Sequence, residues 1–165
     1  MSQHFQRLRL MNTDLDLTIT RGKASDIEAI VRFQADMAME SEGTMLDMDR
    51  LTLGVTSAIN DEQKGTYLVA RANDTPIGSL MVTREWSDWN NMWYWWIQSV
   101  YVMPEYRNQG VYRAMYTTLK DMAKENCVSQ VRLYADRTNH SAQQVYRRLG
   151  MTESHYLMFE EAINI

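Results

Sequence analysis

The chain has 165 residues, enough for one compact domain whose core needs no covalent or metal staple. Its hydrophobic fraction of 45% and charged fraction of 23% are ordinary for a globular protein, and a net charge of −4 excludes a general binder of nucleic acid or of anionic membrane. A single cysteine, Cys127, rules out an internal disulfide and points to a reducing compartment, so the cytoplasm is the expected location.

Residues 1–14 read as an N-terminal arm with no apolar signal core, and residues 15–165 as one domain. Apolar and polar residues alternate over 15–21, the period of a half-buried strand. Ser25 and Glu28 then form a capping-box pattern before a helix with Ile27, Ile30, Val31, Met37 and Ala38 on one face and Gly43 at its end. A weaker helix follows from about residue 47, with Met48, Leu51, Val55 and Ile59 on one side. A strand opened by Lys64-Gly65 and running through Tyr67 to Ala72, a hairpin turn at 73–76 and a returning strand at 77–86 come next, then a polar loop and an aromatic strand over 93–102. A helix is predicted over 109–126 with Val111, Met115, Leu119 and Met122 facing inward, then a strand over 131–136, a short helix over 142–149 closed by Gly150, and a last strand over 155–159. This order gives an α/β (α+β) domain with a mixed sheet. No stretch reaches the length of a membrane span, and His4, His140 and His155 lack metal-ligand spacing, so no metal site is expected. Cys127 reads as a structural thiol, since no base neighbours it in sequence.

The segment Val100-Tyr101-Val102-Met103-Pro104-Glu105-Tyr106-Arg107-Asn108-Gln109-Gly110-Val111-Tyr112-Arg113 takes the chain from a buried strand through a short loop into a helix. A helix start presents unpaired backbone N–H groups and a partial positive charge. Gly110 lets a ligand come close to that backbone, and Arg107 and Arg113 bracket the turn, so the segment suits an anion such as a pyrophosphate. A tight turn with solvated arginines is the alternative on this segment alone.

Downstream, Asn139-His140-Ser141-Ala142-Gln143-Gln144-Val145-Tyr146-Arg147-Arg148-Leu149-Gly150-Met151 supplies a second pattern. The first segment resembles the Arg/Gln-x-x-Gly-x-Gly/Ala signature of the GNAT superfamily of N-acetyltransferases, and the second its Asn-x-x-Ala-x-x-x-Tyr-x-x-x-Gly pattern. The chain is similar to that superfamily over about residues 15–159. It also resembles a subgroup with a Trp-Ser-Asp-Trp loop and a Trp-Trp-Ile-Gln-Ser-Val-Tyr-Val strand, here at 86–89 and 95–102. Tyr112 departs from the signature, standing where Gly or Ala is usual.

The resemblance implies a mostly antiparallel sheet with one splayed strand pair, flanked by about four helices. It implies transfer of an acetyl group from acetyl-CoA to a primary amine of a small molecule or peptide by direct attack, with no metal. Backbone groups of Val100 and Val102 would hold the pantetheine arm, and the Val100 N–H would polarise the thioester carbonyl. The amides of Arg107, Asn108, Gln109, Gly110, Val111, Tyr112 and Arg113 would cradle the pyrophosphate, and Asn139 would contact the pantetheine region and open the second helix. Tyr146 falls at the position of the general acid, and a phenol of ordinary pKa ~10 keeps its proton until a thiolate needs it. As the alternative, Tyr146 is an amphipathic core residue with its hydroxyl at the surface.

A general base stays open. The strand at 93–102 carries no carboxylate, which leaves Glu85, Glu40, Glu42 or a water chain. Trp86, Trp89, Trp93, Trp95 and Trp96, with Glu85 and Asp88, could hold a cationic acceptor, although most of them fit core and a homodimer surface better. The rival functions are a non-catalytic acyl-CoA sensor on the same fold and a tryptophan-faced interaction module.

Overall fold

The computed structural model describes residues 6–9 and 16–163. By contact the chain divides into a unit of residues 1–134 and a unit of residues 135–165. The first unit holds a six-stranded sheet in the sequence order β1 (Gln6–Arg9), β2 (Asp16–Arg21), β3 (Thr66–Ala72), β4 (Thr75–Ser87), β5 (Met92–Val102) and β6 (Val128–Arg132). Every pairing is antiparallel except β5 with β6, which is parallel. That parallel step needs a crossover, supplied by α3 (Val111–Glu125). Residues 6–9, expected in an arm, therefore form the strand at one edge of the sheet.

α1 (Ile27–Glu42) and α2 (Met48–Asn60) cover one face of the sheet. Ile30 and Val31 of α1 and Val55 and Ala58 of α2 meet Tyr67 and Val69 of β3 there. α3 covers the other face with Val111, Ala114, Met115 and Leu119, opposite Leu68, Val82 and Trp95. Each fully buried side chain of this size contributes about 1.5–3 kcal/mol. The helical spacing read from sequence thus locates the core, except that Met48 is exposed.

Three starts and stops differ from expectation. Ser25 and Glu28 form no capping box; a 3-10 turn at Ala24–Asp26 leads into α1, and the Lys23 N–H donates to Asp26 Oδ2 at 3.0 Å. Asp26 is buried because its other oxygen meets Arg71 Nη2 at 2.5 Å, and Arg71 also donates to Thr20 Oγ1 and Asp74 O. The strand expected at 131–136 runs instead from Val128 to Arg132.

The third difference lies in the second unit, whose described residues form α4 (His140–Arg148) and irregular chain. The strand expected at 155–159 is absent: among its described residues this unit contains no other strand to pair with it, and Tyr156, Leu157, Met158 and Phe159 are exposed. The β3–β4 turn follows the expected chemistry, since Asn73 and Asp74 take the positive φ that a two-residue hairpin requires.

Removing one partner of a buried ion pair strands the other charge. Asp26→Ala is expected to lower unfolding stability by about 3 kcal/mol in urea denaturation. Glu62→Ala, which breaks the exposed pair with Arg21, should cost less than about 1 kcal/mol. Equal losses would remove the Asp26–Arg71 pair from the forces that hold α1 on the sheet.

Candidate active site

β5 has a neighbour on its β6 side for only part of its length. Register runs from Trp93 opposite Val128 to Trp96 opposite Arg132, and no described strand pairs with residues 97–102 on that side. The separation coincides with a bulge. Leu80 lies opposite Val100 and Val82 opposite Ile97, so β5 holds one residue more than β4 between these pairs.

Backbone direction in the free half follows from one bond. Met103 N–H donates to Ile77 O at 2.9 Å, so Met103 faces β4, and strand alternation turns Tyr101 the same way. Val100 and Val102 therefore direct their amides and carbonyls toward the open side. Arg107 confirms this for Val102, since its Nε donates to Val102 O at 2.7 Å from that side.

The loop after β5 contains a 3-10 turn at Pro104–Tyr106 and then Asn108 and Gly110 at positive φ (61° and 84°). Gly110 is the N-cap of α3 and brings no side-chain cap, whereas Asp47 caps α2 and Asn139 caps α4. The first bond of α3 runs from Ala114 N–H to Gly110 O, so Val111, Tyr112 and Arg113 precede any intrahelical acceptor. The amide of Arg107 is spent on Pro104 O, which starts the expected cradle at Asn108. Gln109 pins the loop by donating from Nε2 to Glu105 O. Tyr112 stacks on Tyr116 one turn on, at 6.1 Å between ring centroids.

The Arg107 guanidinium does not project into solvent. Nη2 meets Glu40 Oε2 of α1 at 2.7 Å, and Glu40 Oε1 accepts from the Tyr101 hydroxyl at 3.2 Å. Burial, then the carboxylates of Glu40 and Asp36, push the Tyr101 phenol up, and its ring stacks on Phe33. Loop, strand and α1 are thus tied together by one arginine. No local pattern could announce Glu40 as its partner, 67 positions away.

At the level where β6 leaves, the α1 side of the sheet carries a polar network. Trp96 Nε1 donates to Glu85, whose other oxygen lies 3.4 Å from Arg132, and the Arg132 guanidinium stands 3.8 Å from the Tyr94 ring centroid. Gln98, in the bulge, donates to Thr83 Oγ1 and accepts from the Tyr134 hydroxyl, both at 2.8 Å. Of the tryptophans only Trp95 is fully buried; Trp86 and Trp93 form a partly exposed edge-to-face pair, and Trp89 is 91% exposed. Cys127, expected as a structural thiol, is exposed at the end of α3. Among the described residues no cluster suits a metal.

In the second unit, Asn139 Oδ1 accepts from Ala142 N–H at 3.0 Å, which opens α4 as expected. Ahead of it, Thr138's hydroxyl and amide hold the Asp136 carboxyl below the usual carboxylate range. Tyr146 is half-buried on α4, and burial pushes its phenol up. Its carbonyl accepts from Met151 N–H while Gly150 N–H reaches Arg147 O, a left-handed helix stop with Gly150 at φ 90°.

An uncapped helix start behind a glycine, beside a strand half whose backbone groups face open space, can take an anionic headgroup and an extended arm. The acetyltransferase (GNAT) family model matches residues 34–151, and the chain belongs to that family. A possible acetyltransferase from Clostridium difficile 630 is 37% identical with a TM-score of 0.85, over 90% of this chain and 99% of that one. Two more distant solved structures share the fold. Aminoglycoside N-acetyltransferase AAC(6')-Iy, in complex with CoA, has a TM-score of 0.77 at 13% identity, over 93% of this chain and 99% of that one. A ribosomal-protein-alanine N-acetyltransferase from Brucella melitensis biovar Abortus 2308 has a TM-score of 0.72 at 16% identity, over 89% and 99%. No curated protein matches the chain.

Gly78 lets β4 approach the open half of β5. A Cβ there would stand 2.6 Å from Tyr101 O and 3.2 Å from Val102 Cα, both backbone atoms that cannot rotate away. Gly78→Ala should cost about 1–3 kcal/mol and speed amide exchange at Met103, which bonds to β4. Unchanged protection at Met103 would show that the strands have room to spare.

Proposed function

We propose that the protein is an N-acetyltransferase that moves an acetyl group from acetyl-CoA to a primary amine, in the cytoplasm and without a metal. The observation that carries this reading is the pairing of the uncapped α3 start with the free half of β5. The amides of Asn108, Gln109, Gly110, Val111, Tyr112 and Arg113 would hold the pyrophosphate, and helix dipole and backbone donors favour an anion there. The open-side backbone groups of Val100 and the N–H of Val102 would hold the pantetheine arm as a strand would, the Val102 carbonyl being taken by Arg107. Arg107 supports that arrangement by fixing Val102 O and the loop together.

When bound, acetyl-CoA supplies an activated acyl group as a thioester. The Val100 N–H would stabilise negative charge developing on the carbonyl oxygen, a role whose loss typically costs ~2.7–4 kcal/mol of barrier. Asn139 would position the arm while capping α4. Tyr146 would return a proton to the departing sulfur, and its raised pKa keeps that proton in place throughout the neutral range.

One observation favours a second reading, a non-catalytic acyl-CoA sensor. Glu85 and Glu40, two of the carboxylates considered for the base, are both paired with arginines. A thermal-shift titration with acetyl-CoA, followed by a free-thiol assay across an amine panel, separates the two. Stabilisation with thiol release supports the enzyme, stabilisation without release from any amine supports the sensor, and no stabilisation removes both.

Tyr146→Phe should lower turnover about a hundredfold or more, the worth of a general acid, while the acetyl-CoA midpoint stays within about twofold. Because the phenol is raised from 10.0, the alkaline fall in turnover that reports its deprotonation should lie above pH 10.0 and vanish in the variant. Unchanged turnover would take Tyr146 out of the mechanism.

A further inference from the structure

β4 outruns its neighbour. Its ladder with β3 ends at Val82 opposite Thr66, where β3 begins, yet its ladder with β5 runs on to Ser87 opposite Met92. Residues 83–87 therefore form a sheet edge that no described strand covers. The direction of its free groups follows from the opposite flank. Trp93 N–H donates to Cys127 O on the β6 side, so the facing pair Trp86–Trp93 exchanges no bonds. Trp86 thus turns its N–H and C=O to the bare edge, and alternation gives Arg84 the same direction. The edge carries apolar surface as well. Trp86 and Trp93 pack edge to face with 48% and 37% of their surface exposed, and Trp89 in the adjoining turn is 91% exposed.

We propose that this edge pairs antiparallel with the same edge of a second copy of the chain, about a two-fold axis at Trp86. Such an axis keeps every side chain on its own face, so it must pass through a residue. An axis at Arg84 would set Trp86 against Val82, whose edge is already taken by β3. An axis at Glu85 would set that carboxylate against its own copy, and like charges directly opposite destabilise a sheet. An axis at Ser87 would set Trp86 against the turn at Asp88, outside the strand. An axis at Trp86 leaves two reciprocal N–H to O bonds between the Trp86 backbones and places Glu85 beside Ser87 of the second copy. It also brings Arg84 to the level of Asp88, exposed just past the strand, so the charges complement one another twice by symmetry. Arg84 can answer, because its ion pair with Glu62 is loose at 3.7 Å.

Area sets the strength. The exposed parts of Trp86, Trp89 and Trp93 come to on the order of 400 Å² per copy, or roughly 800 Å² for the pair. The smallest stable complexes bury about 1,200 Å², and the short ladder with its Arg–Asp pairs supplies only part of the difference. The dimer is therefore a weak one, dissociating in the range of roughly 1–100 µM.

The test is sedimentation velocity of the full chain from about 1 to 500 µM, where a monomer–dimer equilibrium is expected. Trp86→Lys sets like charges at the axis and should weaken association about tenfold or more. Arg84→Asp or Asp88→Arg alone should weaken it about fivefold, and the two together should restore it, a pattern that a merely unfolded variant cannot give. Trp86→Cys in a Cys127→Ser background should form a cross-linked dimer under mild oxidation. Paired Cα atoms at a bonded position lie about 5.5 Å apart, within disulfide reach. Glu85→Cys in the same background should stay uncross-linked, which fixes the register. A chain that is monomeric throughout the range would overturn the proposal. So would a dimer indifferent to Trp86→Lys and to both charge reversals, or cross-linking at position 85 in place of 86. A monomer whose tryptophan emission shifts to the blue on phosphatidylcholine vesicles would overturn it in favour of a lipid surface.

Discussion

A strand that loses its neighbour halfway along must still place the amides and carbonyls of its free half. β5 is such a strand. It pairs with β4 throughout, but with β6 only as far as Trp96, and the bulge after Ile97 falls at the parting. The energetic demand is general, since an unpartnered backbone group buried away from water costs about 1–3 kcal/mol. Here the free half stays solvent-accessible at Val102, whose carbonyl is taken by Arg107, and is held from behind by the close approach of Gly78. The open edge is therefore a supported feature of the sheet, with β4 close on one side and no described strand on the other.

The start of α3 has the same character. α2 and α4 each close their first turn with an Asp or Asn side chain, the usual way to satisfy leading amides. α3 instead begins at a glycine in left-handed conformation, after a second left-handed residue, Asn108. A side-chain acceptor at position 110 would compete with any ligand for those amides. Gly110 both permits the loop geometry and supplies no competitor. Two local decisions, a strand left half-paired and a helix left uncapped, fall within about ten residues of one another in sequence, which supports reading them as parts of one site.

Much of this was legible in the sequence because it is local. Alternation located the hairpin strands, and Asn73-Asp74 located their turn, since positive φ at two successive positions is a local demand. The apolar spacing of Val111, Met115 and Leu119 located the buried face of α3. The resemblance named the open half of β5 and the helix start. What escaped depends on distant partners. Asp26 is buried only because Arg71 meets it from β3, and that pairing replaced the expected Ser25–Glu28 cap. Glu40, Gln98 and Tyr134 acquire their roles from residues tens of positions away. The strand expected at 155–159 failed for a related reason: a run of apolar residues fixes a preference, but a strand exists only where another strand receives its hydrogen bonds.

An acidic chain can still present a place for an anion, because charge acts over a limited range. At physiological ionic strength exposed charges are screened beyond about 8 Å, so the net charge of −4 describes no single part of the surface. The carboxylates of residues 36–53 dominate one corner, while the loop into α3 has Arg107, Arg113 and a helix start. Glu40 links the two regions through Arg107 in a partly exposed pair, the kind worth about 0–1 kcal/mol. So weak a bond joins the loop to α1 at a small energetic cost to exchange, while the bond to Val102 O keeps the guanidinium against β5. The carboxylates of α1 and the start of α3 are therefore electrostatically distinct yet mechanically joined, with Arg107 as the joint between a helix that carries negative charge and a loop that carries positive charge.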